Sequence, residues 1–263
     1  MESMQPVVSI IIPVYNSERY LAQTLDSVLA VSTPPLADME VVLVDDGSTD
    51  RSLEIARDYA ARYGFIRVLE QPNAGPVRAR NNAVEHARGR YIFPLDSDDL
   101  LVPGFLAEAV RVLDREPEVK VVAGRNEFFG DRKGPWRLPE FSLRLLARRN
   151  LICVSALYRR EDWVRVGGYC EEIVALEDWD FWISVLKDGG RVATLDGAAI
   201  RYRIRQGSKR VRDRAWKHHV VDTLNRRHAA FFERELCGPL HYQRTWSRPL
   251  NRLRRLLGLK RKR

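Results

Sequence analysis

Cysteine is scarce in this chain, and its three copies, Cys153, Cys170 and Cys237, form no close pair and no metal-ligand spacing. A disulfide framework and a thiolate metal site are therefore excluded, and reduced thiols in a cytosolic protein are expected. Long apolar runs are missing as well. No stretch approaches the ~20 apolar residues that a bilayer-spanning helix needs, so any membrane contact is expected to be peripheral. Met1 to Pro6 puts no basic region ahead of an apolar run, so no secretory leader is expected. There is no internal repeat. Acidic residues are absent from the C-terminal end, where none follows Glu235.

What is present is enough for one sizeable core: 263 residues, 45% of them hydrophobic. The net charge of +9 is unevenly spread. From Gln206 onward there are 17 basic and 4 acidic residues, a net of +13, while the first 205 residues hold 27 basic and 31 acidic, a net of −4. Such a split points to an extension that meets an anionic surface.

The first hundred residues alternate strand-like and helix-like segments. Val7 to Ile12 is a β-branched run stopped by Pro13, the pattern of a strand buried on both faces. Asn16-Ser17 is placed to cap a helix carrying Leu21, Leu25, Val28 and Leu29 on one face. Further strands are expected at 40–44, 66–69, 91–95, 119–123, 191–195 and 199–203. Further helices are expected from Thr49 or Asp50 to Tyr63, over 79–87, from Pro103 to Arg115 and over 177–187. Residues 125–150 show no clear period, residues 150–158 read as a buried apolar segment, and 211–235 reads as helical. The tail spaces Trp246, Leu250, Leu253 and Leu257 as one helical face, with Arg248, Arg252 and Arg255 on another. This alternation predicts an α/β fold with a parallel sheet covered by helices on both faces. Ligands of such sheets bind beyond the carboxyl ends of the strands. Tyr15-Asn16, Asp45-Asp46 and Asp96-Ser97-Asp98-Asp99 each follow an expected strand and would share that rim.

Three carboxylates within four residues at 96–99 repel one another and call for water or a cation. A hard divalent ion, Mg²⁺ or Mn²⁺, binds through few carboxylates and completes its shell with substrate phosphate oxygens. The same residues suit a turn or a cap for the helix after Pro103, and taken alone the two readings stand level. Asp45, at a buried strand end, can accept a hydrogen bond from a base N–H, while Ser48 to Asp50 suit a helix cap. Glu177-Asp178 beside Trp179 and Trp182 suits a general base, though taken by itself it better suits an acidic first turn complementing a helix dipole. Arg78, Arg80, Arg203 and Arg205 fall near the expected rim.

Taken together and in order, Val8 to Asn16, Val44 to Asp50, Asn73-Ala74-Gly75 with Ala79-Arg80-Asn81, Asp96 to Asp99 and Glu177-Asp178 closely resemble the family 2 glycosyltransferases. The resemblance runs from about 7 to 208 and implies a GT-A fold: a Rossmann-like, mixed but mainly parallel sheet flanked by helices. A catalytic domain over 1–208 and a basic, mainly helical extension over 209–263 are expected. The likeness implies an inverting transfer of sugar from a nucleotide-diphosphate donor to an acceptor hydroxyl, in cell-surface polysaccharide or glycolipid synthesis. In that scheme Pro13, Tyr15 and Glu18 line the base pocket, Asp45 meets the base edge, Arg80 and Ser97 contact the nucleotide sugar, and Asp96 meets the ribose. Asp98 ligates a divalent metal, Mg or Mn, and Asp178 deprotonates the acceptor. Many relatives carry His in a Tyr-Arg-x-His-x-x-Ser segment, where this chain has Arg205. A neutral His ligates metals; an always-protonated Arg cannot, but it binds a diphosphate directly. The partners expected are a nucleotide-diphosphate sugar, a carbohydrate or lipid-linked acceptor, and an anionic membrane surface for the tail on the cytoplasmic face. Nucleic acid is not expected, since no interleaved aromatic platform is evident. A nucleotidyltransferase is the competing enzyme, but it wants a glycine-rich loop where Pro13-Val14-Tyr15-Asn16 stands. A non-catalytic sugar-nucleotide-binding protein is the competing class, against which both Asp98 and Asp178 count.

Overall fold

The computed structural model describes residues 6–31, 39–173, 175–205 and 217–257. Its centre is a seven-stranded sheet with the order β10-β6-β9-β4-β1-β2-β3. These strands are β1 (Val8–Val14), β2 (Met39–Asp45), β3 (Ile66–Glu70), β4 (Tyr91–Pro94), β6 (Val119–Gly124), β9 (Leu157–Arg159) and β10 (Arg191–Leu195). β4, β1, β2 and β3 run parallel, as do β6 and β10, and β9 lies antiparallel between the two groups. The expected mixed, mainly parallel sheet is therefore what forms. A smaller sheet joins β5 (Leu100–Leu101), β11 (Ile200–Ile204), β7 (Glu127–Gly130) and β8 (Gly134–Pro135).

Every residue of β1 and β2 is buried, because helices cover both faces of the sheet. Strand pleating divides their side chains between two cores. Ile10, Ile12, Val41 and Leu43 meet α1 (Leu21–Leu29), α2 (Ser52–Arg62) and α4 (Phe105–Arg115). Ile11, Val42 and Val44 meet α3 (Pro76–His86) and α7 (Glu177–Leu186) on the other side. The second core also takes Val220 and Leu224 of α8 (Lys217–Arg227) and Phe231, Phe232 and Leu236 of α9 (Ala229–Leu236). α5 (Leu143–Leu146), α6 (Arg160–Val166) and α10 (Ser247–Leu256) complete the elements. The expected boundary at 208/209 lies outside the described residues.

Several local expectations change. Asn16 and Ser17 do not cap α1, whose N-cap is Tyr20; Asn16 takes a positive φ of 49° and its Oδ1 accepts from Thr49 N–H at 2.8 Å. The helix after Pro103 starts behind Gly104 in the left-handed region, so neither Asp98 nor Asp99 caps it. The helical stretch breaks at His228 into α8 and α9. The expected 79–87 helix starts earlier, at Pro76, whose fixed φ suits a first turn.

Candidate active site

From β1 the chain winds outward to β2 and β3, then returns to place β4 on the other side of β1. That reversal is a topological switch point, where the crevice beyond the strand ends receives ligands. A cavity of about 540 Å³ opens there. Pro13, Val14 and Tyr15 come to it from β1, Asp46 from β2 and Asp96, Ser97 and Asp98 from β4. Gly75, Pro76 and Arg80 come from the start of α3, Leu176 and Glu177 from α7, and Arg205 from the end of β11.

Arg80 organises the cavity's charge. Its side chain is 5% exposed, and its guanidinium donates to Asp96 Oδ1 at 2.6 Å and to Glu177 Oε1. Burial lowers its pKa, but the charges of Asp96 and Glu177 outweigh burial and the net shift is upward. One fixed cation thus ties the acidic loop after β4 to the start of α7. The N-terminus of α3 is fixed by Asp46, whose carboxylate accepts from Ala74 N–H and Gly75 N–H, each at 2.8 Å.

The 96–99 loop is held by its backbone. Thr24 Oγ1 donates to the carbonyls of Ser97 at 3.0 Å and Asp99 at 2.8 Å. Arg203 Nε donates to the Asp98 carbonyl at 2.7 Å, and Asp99 Oδ1 accepts from Arg203 N–H at 2.8 Å. Asp99 is thereby spent on architecture, buried beside Asp96 and Asp98, and burial holds its carboxyl well above the usual range. Ser97 Oγ shares a hydrogen bond with Ser17 Oγ at 2.7 Å. Asp98 keeps its side chain toward the cavity, where Arg205 Nε lies 3.1 Å from Oδ2. Burial and then the charge of Asp96 push the Asp98 pKa up, while Arg205 and Arg203 pull it down.

Asp178 sits beside the cavity at the first turn of α7. Oδ2 accepts from Asn150 Nδ2 at 2.6 Å and Oδ1 from Trp179 N–H at 2.9 Å. Burial and the neighbouring Glu177 charge push its pKa up to about 7, against the opposing pull of Arg80 and of these two bonds. The helix start is itself constrained, with Leu176 at a φ of 61°. A carboxylate poised near neutrality, with both oxygens oriented, suits proton abstraction.

Of the residues singled out from the sequence, Pro13, Tyr15, Arg80, Asp96, Ser97, Asp98 and Arg205 converge on the cavity walls. Asp45 lies buried behind them: Oδ2 accepts from Ser48 N–H at 3.0 Å, and Oδ1 has no hydrogen-bond partner among the described residues. Glu18 is exposed, and its carboxylate accepts from Arg51 N–H at 3.1 Å. Arg78 pairs with Glu171 at 3.4 Å on the surface. The sequence reading gives Asp46, Glu177 and Asn150 no role of their own. Asp46 and Glu177 could have been separated from their acidic neighbours only by the direction of one side chain. Asn150 precedes an apolar run and carries no local signal at all.

Among the described residues no three His, Cys, Asp or Glu side chains converge as a ready-made metal cage. The site nevertheless fits a divalent cation of the kind that borrows substrate oxygens. Asp98 offers a carboxylate to the cavity beside the charge of Asp96, and that repulsion is one a cation relieves. Arg205 occupies the same carboxylate and is the competing cation.

The model of glycosyl transferase family 2 matches residues 9–170. Over 215 residues the chain is 34% identical to the "uncharacterized glycosyltransferase EpsJ" of Bacillus subtilis, covering 76% of this chain and 62% of that protein. It is 29% identical over 188 residues to a chondroitin synthase of Pasteurella multocida, covering 70% of this chain and 19% of that protein. The chain thus spans less than two thirds of either relative's length. Among solved structures, S. aureus TarS 1–349 in complex with UDP-GlcNAc superposes with a TM-score of 0.73 at 24% identity, covering 97% of this chain and 74% of that one. The likeness to TarS shows a shared fold, the mixed α/β architecture expected of GT-A proteins.

Proposed function

The chain belongs to glycosyl transferase family 2 and is a glycosyltransferase, and from that premise we propose that it transfers sugar with inversion from a nucleotide-diphosphate donor to an acceptor hydroxyl. The observation that carries this reading is the Arg80 bridge, which sets Asp96 and Glu177 in one cavity beside an oriented Asp178. The nucleoside would lie against Pro13, Tyr15 and Asp46, with Asp45 and its free Oδ1 behind them, and with Glu18 at the outer edge. The ribose would meet Asp96 and Ser97. The diphosphate would lie between Arg205 and Asp98. A divalent ion bound by Asp98 would add Lewis-acid stabilisation of the diphosphate's negative charge.

The acceptor oxygen would attack the anomeric carbon on the face opposite the diphosphate. Its proton would pass to Asp178, and the electron pair of the breaking carbon–oxygen bond would leave with the nucleoside diphosphate. Arg80 and Arg205 are fixed cations at the leaving side, where negative charge grows. A UDP-GlcNAc-bound structural neighbour supports a UDP-sugar donor, and a chondroitin synthase among the relatives supports a carbohydrate acceptor. We extend this to polysaccharide or glycolipid synthesis at the cytoplasmic face. A panel of UDP-, GDP- and dTDP-sugars screened for hydrolysis identifies the donor. Asp178→Asn is expected to lower kcat by about 10²–10⁴-fold while donor affinity holds. Retained turnover in that variant would overturn the assignment of the base.

A further inference from the structure

Helix α10 is turned inside out for a surface helix in water. Its buried residues are polar: Ser247, fully buried, and Asn251, 4% exposed. Ser247 Oγ accepts from His241 N–H at 2.9 Å, and Asn251 Nδ2 donates to the Pro239 carbonyl at 2.9 Å. Arg255 pairs with Glu233 of α9. These contacts fix the helix to the body by its polar side. The outward side carries Trp246, Leu250, Leu253 and Leu257, spaced every three or four residues, and Leu256 beside them. Their exposures run from 39% for Leu250 to 85% for Leu256. Five large apolar side chains gathered on one side of a short helix are a patch that marks an interaction site.

Charge decides what that patch meets. Arg252 and Arg254 are exposed beside the leucines, and no acidic residue follows Glu235. A second copy of this helix would bring arginine against arginine with no carboxylate of its own to compensate. A nucleic acid would offer phosphates to the arginines but only a charged backbone to the leucines. A bilayer with anionic headgroups answers both, taking leucine and tryptophan side chains below the headgroups and arginines among them. No helix among the described residues is long and apolar enough to cross a membrane, so the contact would be interfacial.

The helix is also tied to the chemistry. The segment that leads into it places Arg244 over the ring of Trp179, with Cζ 5.2 Å from the ring centroid. Trp179 N–H donates to Asp178. A surface bound by α10 therefore takes a fixed position relative to the cavity.

We propose that α10 docks this protein on an anionic lipid surface through the face formed by Trp246, Leu250, Leu253, Leu256 and Leu257. The test is sedimentation of the full chain with vesicles of phosphatidylcholine alone and of phosphatidylcholine with phosphatidylglycerol. The parent is expected to bind the anionic vesicles and to bind them less as salt rises. Leu253→Glu/Leu257→Glu is expected to lose at least about tenfold in binding. Arg252→Ala and Arg254→Ala are each expected to lose roughly fivefold. Brominated lipid is expected to quench part of the fluorescence of the parent, and Trp246→Phe is expected to abolish that part. Donor turnover on a soluble acceptor is expected to stay at the parental level in the Leu253→Glu/Leu257→Glu variant, which confirms that it folds. Equal vesicle binding by that variant and the parent would overturn the proposal. So would a parent that ignores anionic vesicles and self-associates in a manner the leucine substitutions abolish. The proposal stands apart from the donor and acceptor assignment, since loss of vesicle binding and loss of turnover are separate readouts.

Discussion

Asp178 receives two hydrogen bonds, from Asn150 and from its neighbour's amide, and both favour its ionised form. Burial and Glu177 outweigh them, which leaves the group near pH 7. A base must be deprotonated to act, so kcat/KM is expected to fall as pH drops below about 7. Asn150→Ala removes one of the bonds to the carboxylate. It should move that acid limb to higher pH, whereas a merely structural loss would lower the whole profile without moving it. Asn150→Asp places a second carboxylate there and should move the limb further the same way. A pH–rate profile of the three proteins distinguishes these outcomes, and an unmoved limb in both variants would show that Asn150 does not set the base.

At the scale of elements, the acidic loop and the end of β11 form one clamp. Arg203 grips the backbone of Asp98, and its guanidinium lies over Tyr20 and Phe129, with Cζ 4.6 and 4.3 Å from the ring centroids. Two residues on, where strand alternation repeats the direction, Arg205 reaches the Asp98 carboxylate. Arg205→His would replace a permanent cation on Asp98 with a side chain that binds metal when neutral. Donor affinity in the variant is expected to respond to Mn²⁺ at lower concentration than in the parent. An unchanged Mn²⁺ titration would place Arg205 outside the diphosphate site.

These elements differ in how far they could be read in advance. β1, β2 and β4 are mainly apolar runs, and burial on both faces explains both the runs and their detection. β2 ends in Asp45 and β4 in Pro94, but β1 continues through Pro13, where the sequence pattern stops it, to Val14. α3 and α7 follow glycine and acidic punctuation. β5, β7 and β8 have two to four residues each, too few to show a period, and β5 and β7 join the sheet only through the distant β11. Acidic neighbours defeat sequence reading for a different reason. Asp98 and Asp99 have the same chemistry in one dimension, but one faces the cavity and the other holds Arg203 N–H. Arg203 itself, placed near the rim by its position, is a clamp on the acidic loop.

At the scale of the whole molecule, the basic C-terminal part divides into two regimes. Its α8 and α9 join the core. Val220, Leu224, Phe231, Phe232 and Leu236 pack with Trp179, Phe181 and Trp182 of α7. Asp180, fully buried in α7, pairs with Arg227 Nε at 2.9 Å and shares a hydrogen bond with His228 at 2.8 Å. Those contacts support the helix that carries Asp178, the proposed base, so stability and the proposed chemistry are joined there. Its α10 lies at the surface, set on polar contacts. Phe232→Ala would open a cavity among large side chains and is expected to cost about 3–5 kcal/mol. Leu253→Ala, more than half exposed, is expected to change stability by no more than about 0.5 kcal/mol. Urea unfolding of both variants measures the difference. A small loss in Phe232→Ala would mean that α9 is an appendage, and a large one in Leu253→Ala that the leucine face is covered by this chain itself. The expected contrast, core loss from one helix and none from the other, is what a body that folds around α8 and α9 and holds α10 outward requires.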